Sequence, residues 1–377
     1  MRKGQKLRPH GRVTRRETAA VAERQEHGGR GAISNRSGRY ETTDRMAFDD
    51  GWLTNETPPT RLETSLTPEA ARTIVTYNRS PDVHFDRSIN PYRGCEHGCI
   101  YCFARPSHAY QGLSAGLDFE SKLFFKQDAA ERLREALSAP QYFPRVIALG
   151  VNTDAFQPVE RQQSLTRELL EVLAAYNHPV SLLTKSALIQ RDIDILAPMA
   201  EKKLVRVGIS ITTLDRRLSR KMEPRAATPE RRLQTIRALT DAGIPVIAMT
   251  APIIPAINDA EIEALLEACQ AAGARYADYV LLRLPHEIKD LFHEWLVEHF
   301  PDRAAKVINL MREMRGGKDY DPRWFERGRG RGPYADLIAQ RFTKAIRKLG
   351  LDGERPQLRT DLFRPLPLPG GQYLLDF

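Results

Sequence analysis

Cysteine is scarce in this chain, with four in 377 residues, too few to staple a protein of this length with disulfides. Long apolar runs are missing too. No stretch approaches the roughly 18 residues of a membrane-spanning helix, so a spanning helix is excluded. The N-terminus is charged and lacks the apolar middle of a signal peptide, which makes the cytoplasm the expected compartment. Aromatic residues make up only 8%. What remains is the composition of one main domain with extensions.

Acidic residues are outnumbered. The formal charge is +9, and the excess is concentrated in residues 1–50 and 301–350, where Arg327, Arg329 and Arg331 alternate with glycine. Such an excess favours polyanions such as nucleic acid; a solvated basic surface accounts for it equally well.

Residues 1–60 are rich in Arg, Gly, Ser and Thr with few periodic apolar positions, and read as a flexible basic arm. Helical periodicity follows from Pro68 to Asn78, broken by Pro81. Between Asp86 and Pro285 short apolar runs alternate with helical stretches. The runs start at Arg87, Arg145, Val180, Val205, Val246 and Tyr279. The helices are expected over 160–176, 187–200, 229–242, 259–272 and 287–299, with Pro229 at a start and Gly243 and Gly273 at ends, where those residues belong. Repeated strand–helix units mean a parallel sheet, and six of them suggest an incomplete barrel with its chemistry at the C-terminal ends of the strands. The expected domains are the arm at 1–60, the α/β body at 61–300 and a basic, mainly helical extension at 301–377 with a proline-rich end.

The scarce cysteines are not scattered. Three fall in Asn90-Pro-Tyr-Arg-Gly-Cys95-Glu-His-Gly-Cys99-Ile-Tyr-Cys102, a C-x3-C-x2-C spacing in which Gly94 and Gly98 allow a tight fold. Thiols so clustered in a reducing compartment read as a metal site. They suit zinc with His97 or His108 as a fourth ligand, or an iron–sulfur cluster with one iron left open. No second pair of ligands follows at finger spacing, which favours the cluster.

With an aromatic residue, Tyr101, before the third cysteine, this loop resembles the signature of radical S-adenosylmethionine (radical SAM) enzymes. Its flanks are similar to the branch grouped with spore photoproduct lyase and often labelled DNA repair photolyase. The resemblance spans about 85–285. It implies a six-unit (β/α) partial TIM barrel, a [4Fe-4S] cluster on Cys95, Cys99 and Cys102, S-adenosylmethionine (SAM) on the open iron, and a flavodoxin- or ferredoxin-like electron donor. It implies reductive cleavage of SAM to a 5′-deoxyadenosyl radical that takes hydrogen from a substrate.

The same resemblance directs attention to the strand ends. After the second strand, Asn152, Thr153 and Asp154 stand where relatives carry a Gly-Gly-Glu turn for the SAM amino group. This chain lacks that triplet, and a polar turn with Glu160 at the next helix N-terminus is the alternative. Lys185 ends the third strand and is expected to meet the SAM carboxylate, or else to snorkel from the rim. Ser210 on the fourth and Arg225 in its loop are further expected contacts, with Asp215 and Glu223 weaker ones. Ala251–Pro255 is expected to line the adenine, and Asn258-Asp259 to cap a helix.

Cys269 recurs with Ile262, Leu265 and Leu266 at helical spacing and reads as core. Spore photoproduct lyase uses a further cysteine just after its second strand to return hydrogen, and none stands near 150–160 here, which argues against that route. His108, Tyr110, Tyr320 and Trp324 are candidate substrate contacts if they reach the strand ends. Two other functions compete with the enzyme: a non-catalytic nucleic-acid-binding protein with a structural metal loop, and a redox-sensing iron–sulfur protein.

Overall fold

The computed structural model describes residues 29–41 and 62–366. Ten strands occur among them: β1 (Ser65–Glu69), β2 (Val75–Tyr77), β3 (Arg87–Ile89), β4 (Tyr92–Arg93), β5 (Lys122–Lys126), β6 (Ile147–Leu149), β7 (Val180–Thr184), β8 (Val205–Ser210), β9 (Val246–Ile253) and β10 (Tyr276–Leu281). Seven form the main sheet in the order β10-β9-β8-β7-β6-β3-β2. From β3 to β10 every pairing in it is parallel, and only the β2–β3 pairing is antiparallel.

Parallel strands need crossovers, and helices supply them. The helix at Leu165–Ala175 buries Leu169, Leu170, Val172 and Leu173. That at Pro229–Asp241 starts with Thr228 accepting from the Arg231 amide, carries proline in its first turn and buries Ile236 and Leu239. Ile147, Leu149, Val180, Val205 and Val207 are all inaccessible to solvent. Burying each such side chain contributes roughly 1.5–3 kcal/mol, so this sheet is the rigid platform on which the strand-end side chains stand.

Helical periodicity misleads at 68–78, which forms β1 and β2 instead. Thr73-Ile74-Val75-Thr76 is β-branched throughout, which favours extended backbone. Pro68 is tolerated because β1 is an edge strand, paired parallel with β5 in a second, three-stranded sheet of order β1-β5-β4. That small sheet leads directly into Cys95.

The flexible arm expected over 1–60 does not describe residues 29–41, which pack against the body. The Gly31 and Ala32 amides donate to the buried Glu120 carboxylate at 2.8 Å each, and Arg39 pairs with Glu287. The remainder of that arm lies outside the described residues. In the extension, helices at Pro301–Glu313 and Pro333–Leu349 flank the expected Gly/Arg loop. The Gly328 carbonyl accepts from the Leu281 amide of β10 at 2.8 Å, while Arg327 pairs with Asp82 in the β2–β3 connection. The loop thus ties one edge of the main sheet to the other. Beyond it the chain crosses the opposite end of the strands, with the Arg359 amide on the Lys203 carbonyl.

Candidate active site

The cysteine loop lies over the C-terminal ends of the strands, and a cavity of about 190 Å³ opens between them. Gly94 and Gly98 take left-handed φ of 77° and 66°, as the tight fold requires. The loop is also crowded from behind: a Cβ on Gly31 would stand 1.8 Å from the Gly98 carbonyl oxygen.

Two buried ion pairs hold this loop, neither legible from its own residues. Arg105 and Glu120 are wholly buried and paired. Arg105 also donates to the carbonyls of Cys99 (2.9 Å) and of Ala115 and Gly116 (3.0 Å each), so one guanidinium fixes the path of the loop. On the other side Glu223 pairs with Arg232 and accepts from the Thr212 and Tyr101 hydroxyls. A third clamp is Gln157, whose carbonyl accepts from the Glu96 amide at 2.8 Å and whose amide donates to Gly94 at 3.2 Å. The Gln157-Pro158 turn signals this position only weakly in sequence.

All four cysteines are free thiols, and Cys95, Cys99 and Cys102 all line the cavity. Burial above all, then Asp154 and the neighbouring thiols, pushes the Cys95 thiol well above its ordinary range. Burial also pushes Cys99 up, although Lys185 opposes it. Buried thiols of this kind ionise when a metal cation takes their charge.

Among the described residues no three His, Cys, Asp or Glu side chains converge as ligands of one ion. A cubane takes one thiolate per iron and needs its sulfurs spread apart. Of the two histidines, His97 lines the cavity with its Nδ1 3.3 Å from Asp154 Oδ2, whereas His108 does not line it and places its Nε2 2.8 Å from the Lys122 carbonyl.

Five of the remaining expected residues line the same cavity: Tyr101, Asn152, Asp154, Lys185 and Ser210. The Asn152 side chain makes no hydrogen bond with the described residues. Lys185 Nζ sits 5.8 Å from the centre of the Tyr101 ring and has no ion pair with the described residues. Ser210 Oγ donates to the Ala251 carbonyl at 3.1 Å. Asp154 is engaged: it accepts from the Thr184 hydroxyl (2.7 Å) and the Lys185 amide (2.8 Å), joining the ends of β6 and β7. Burial opposes its ionisation, but His97 and these donors outweigh it and hold the carboxyl at about 2.

Four expected contacts, Thr153, Arg225, Asp215 and Glu223, are not brought to the cavity. Thr153 is buried and donates to the Tyr92 carbonyl at 2.9 Å. Arg225 turns to the Glu96 carboxylate at 3.0 Å. Asp215 caps the short helix after β8. Asn258 caps nothing; its amide donates to the Thr212 and Pro252 carbonyls at 2.7 and 3.0 Å and so braces the ends of β8 and β9. His108, Tyr110, Tyr320 and Trp324 do not line the cavity. Arg283, just past β10, does, and nothing in its flanking sequence announces it.

The family model described as the radical SAM superfamily matches residues 89–269, which takes in the cysteine loop and β6 to β9. The chain belongs to the radical SAM superfamily. Its cofactors are accordingly a [4Fe-4S] cluster and SAM, and the three cavity thiols fit that cluster. The radical SAM chain is 32% identical over 277 residues to uncharacterised proteins of Mycobacterium tuberculosis and Mycobacterium bovis, covering 72% of this chain and 76% of theirs. It is 26% identical over 221 residues to an uncharacterised protein of Methanocaldococcus jannaschii, covering 59% of this chain and 79% of that one. Among solved structures, spore photoproduct lyase complexed with a dinucleoside spore photoproduct shares the fold at TM-score 0.54 and 14% identity, over 75% of this chain and 79% of that one. A double mutant of that lyase with bound AdoMet and dinucleoside spore photoproduct matches at TM-score 0.54 and 15% identity over the same shares.

Proposed function

We propose that this protein is a radical SAM enzyme that cleaves SAM reductively and acts on a substrate by hydrogen abstraction. The observation that carries this reading is the meeting, on one cavity, of three free thiols with the polar side chains of β6, β7 and β8. We read the six parallel strands as the six (β/α) units of a partial barrel. When bound, the cluster, reduced by an external donor, would supply the one electron that splits the SAM sulfonium into methionine and a 5′-deoxyadenosyl radical.

This chain's residues bind, orient and exclude water. Cys95, Cys99 and Cys102 would hold three irons of the cluster. Lys185 neutralises the SAM carboxylate, with Asn152 and Ser210 as further polar contacts, and Ala251 with Pro252 forms an apolar wall beside them. Tyr101, anchored on Glu223, keeps the loop from sagging into the cavity and backs the Lys185 ammonium.

The substrate's fate differs from that in spore photoproduct lyase. Besides the three cluster thiols the chain has only Cys269, inaccessible on the helix at Ile262–Ala271, so no thiol is placed to return hydrogen. An electron donor of the flavodoxin or ferredoxin type and a nucleic-acid partner for the basic segments belong to this proposal. No helix among the described residues is long and apolar enough to cross a membrane.

The test is anaerobic reconstitution with iron and sulfide, addition of dithionite and SAM, and assay of 5′-deoxyadenosine. The wild type is expected to form it and Cys95→Ala to lose both cluster absorbance and product. Retained cleavage in Cys95→Ala, or a wild-type cluster that cycles redox state without cleaving SAM, sinks the reading.

A further inference from the structure

Lys185 and Arg283 are the lysine and arginine that line the cavity. The contacts proposed for cluster and cofactor come from the cysteine loop and from β6 to β9. Arg283 stands apart from them, two residues past β10, on the wall they leave free. Its guanidinium lies 4.9 Å from the centre of the Phe103 ring, the residue following the last cluster cysteine, and Phe103 is itself 44% exposed.

Arg283 makes no ion pair or hydrogen bond through its side chain with the described residues, and its Nε is buried without a partner. A second cation aggravates this. Arg315 is buried beside it, near enough for the two charges to repel, and is held by the Leu282 and Glu326 carbonyls at 2.8 and 2.7 Å. A half-buried guanidinium on a cavity that Leu281 and Met249 also line, with another cation near it, is unfavourable unless an anion completes it. Its planar donors match two oxygens at once.

We infer that Arg283 is the anchor for an anionic oxygen group on the substrate, a phosphate ester or a carboxylate, with Phe103 presenting an aromatic face beside it. This rests on the radical SAM reading, since it assigns to substrate the wall that SAM leaves free. It makes Arg283 a specificity-determining residue and places the reacting carbon within one side chain's reach of an anion.

The reconstituted, SAM-loaded full chain is titrated by calorimetry with phenyl phosphate, benzoate and neutral benzyl alcohol. One of the two anions is expected to bind about tenfold or more tightly than benzyl alcohol, and whichever does so names the class. Arg283→Ala is expected to erase that preference and Arg283→Lys to restore part of it, with the loss in anion affinity exceeding any loss in SAM affinity. The inference is overturned if neither anion outbinds benzyl alcohol. It is equally overturned if Arg283→Ala loses SAM affinity as much as anion affinity, since Arg283 would then hold the cofactor's carboxylate. A wild type that makes no 5′-deoxyadenosine counts against the catalytic reading and leaves the anion titration to be read independently.

Discussion

The cations around the cysteine loop fall into two sets. Arg105 and Arg232 lie behind it, wholly or almost wholly buried, each paired with a carboxylate and donating to backbone carbonyls. Lys185 and Arg283 lie in front, facing the cavity, with no anionic partner among the described residues. The first set is finished by the protein itself and fixes shape. The second, in the reading proposed above, is finished by something bound. The difference separates scaffold from site more sharply than burial or residue type does, because all four are basic residues within one region of the fold.

Breaking a finished pair gives the largest effect. Glu120→Ala strands Arg105 in the interior and removes the acceptor for the Gly31 and Ala32 amides, at a cost of about 3–5 kcal/mol; urea unfolding measures it. An unchanged midpoint would put Arg105 among the open cations. Removing an open cation acts on binding instead: Lys185→Ala is expected to weaken SAM binding by about tenfold or more while the unfolding midpoint stays near that of the wild type. Tyr101→Phe removes one donor from Glu223, which keeps Thr212 and Arg232, and is expected to destabilise by about 1 kcal/mol.

The smallest effect concerns pH at the loop that ties the sheet edges. Arg327, chiefly by hydrogen bonding, holds the Asp82 carboxyl down at about 2. A depressed carboxyl contributes stability that is complete above its ordinary value and lost as the pH falls through its folded value. The tether is therefore intact at neutral pH and weakens between about 3.8 and 2. Pepsin nicking beside the exposed Trp324 and Phe325 is expected to rise across that window in the wild type. Asp82→Asn should be nicked readily from its upper edge.

Much of this was legible in the sequence where the signal was local. The apolar runs at Val180, Val205 and Val246 became β7, β8 and β9, and the spacing of Cys95, Cys99 and Cys102 placed all three thiols on one cavity. What stayed hidden depends on partners remote in sequence. Glu120 meets Gly31 across 89 positions and Tyr101 meets Glu223 across 122, and no window of a few turns contains both. Arg225 shows the converse. Its forked donors suited a ligand carboxylate, but only the folded chain reveals its pairing with Glu96. The sheet of β1, β4 and β5 escaped because its strands are short and one contains proline.

The separation of Tyr101 from Glu223 also has a temporal side. At the usual pace of synthesis, on the order of ten residues per second, the cysteines leave the ribosome roughly ten seconds before the carboxylate that braces them. Throughout that interval the thiols belong to a segment with only its upstream half in place. Iron and sulfide delivered then would meet an unformed cradle, whereas delivery after release would meet the assembled one. The cradle of the cysteine loop is thus complete only once Glu223, 122 positions downstream of Tyr101, has been made.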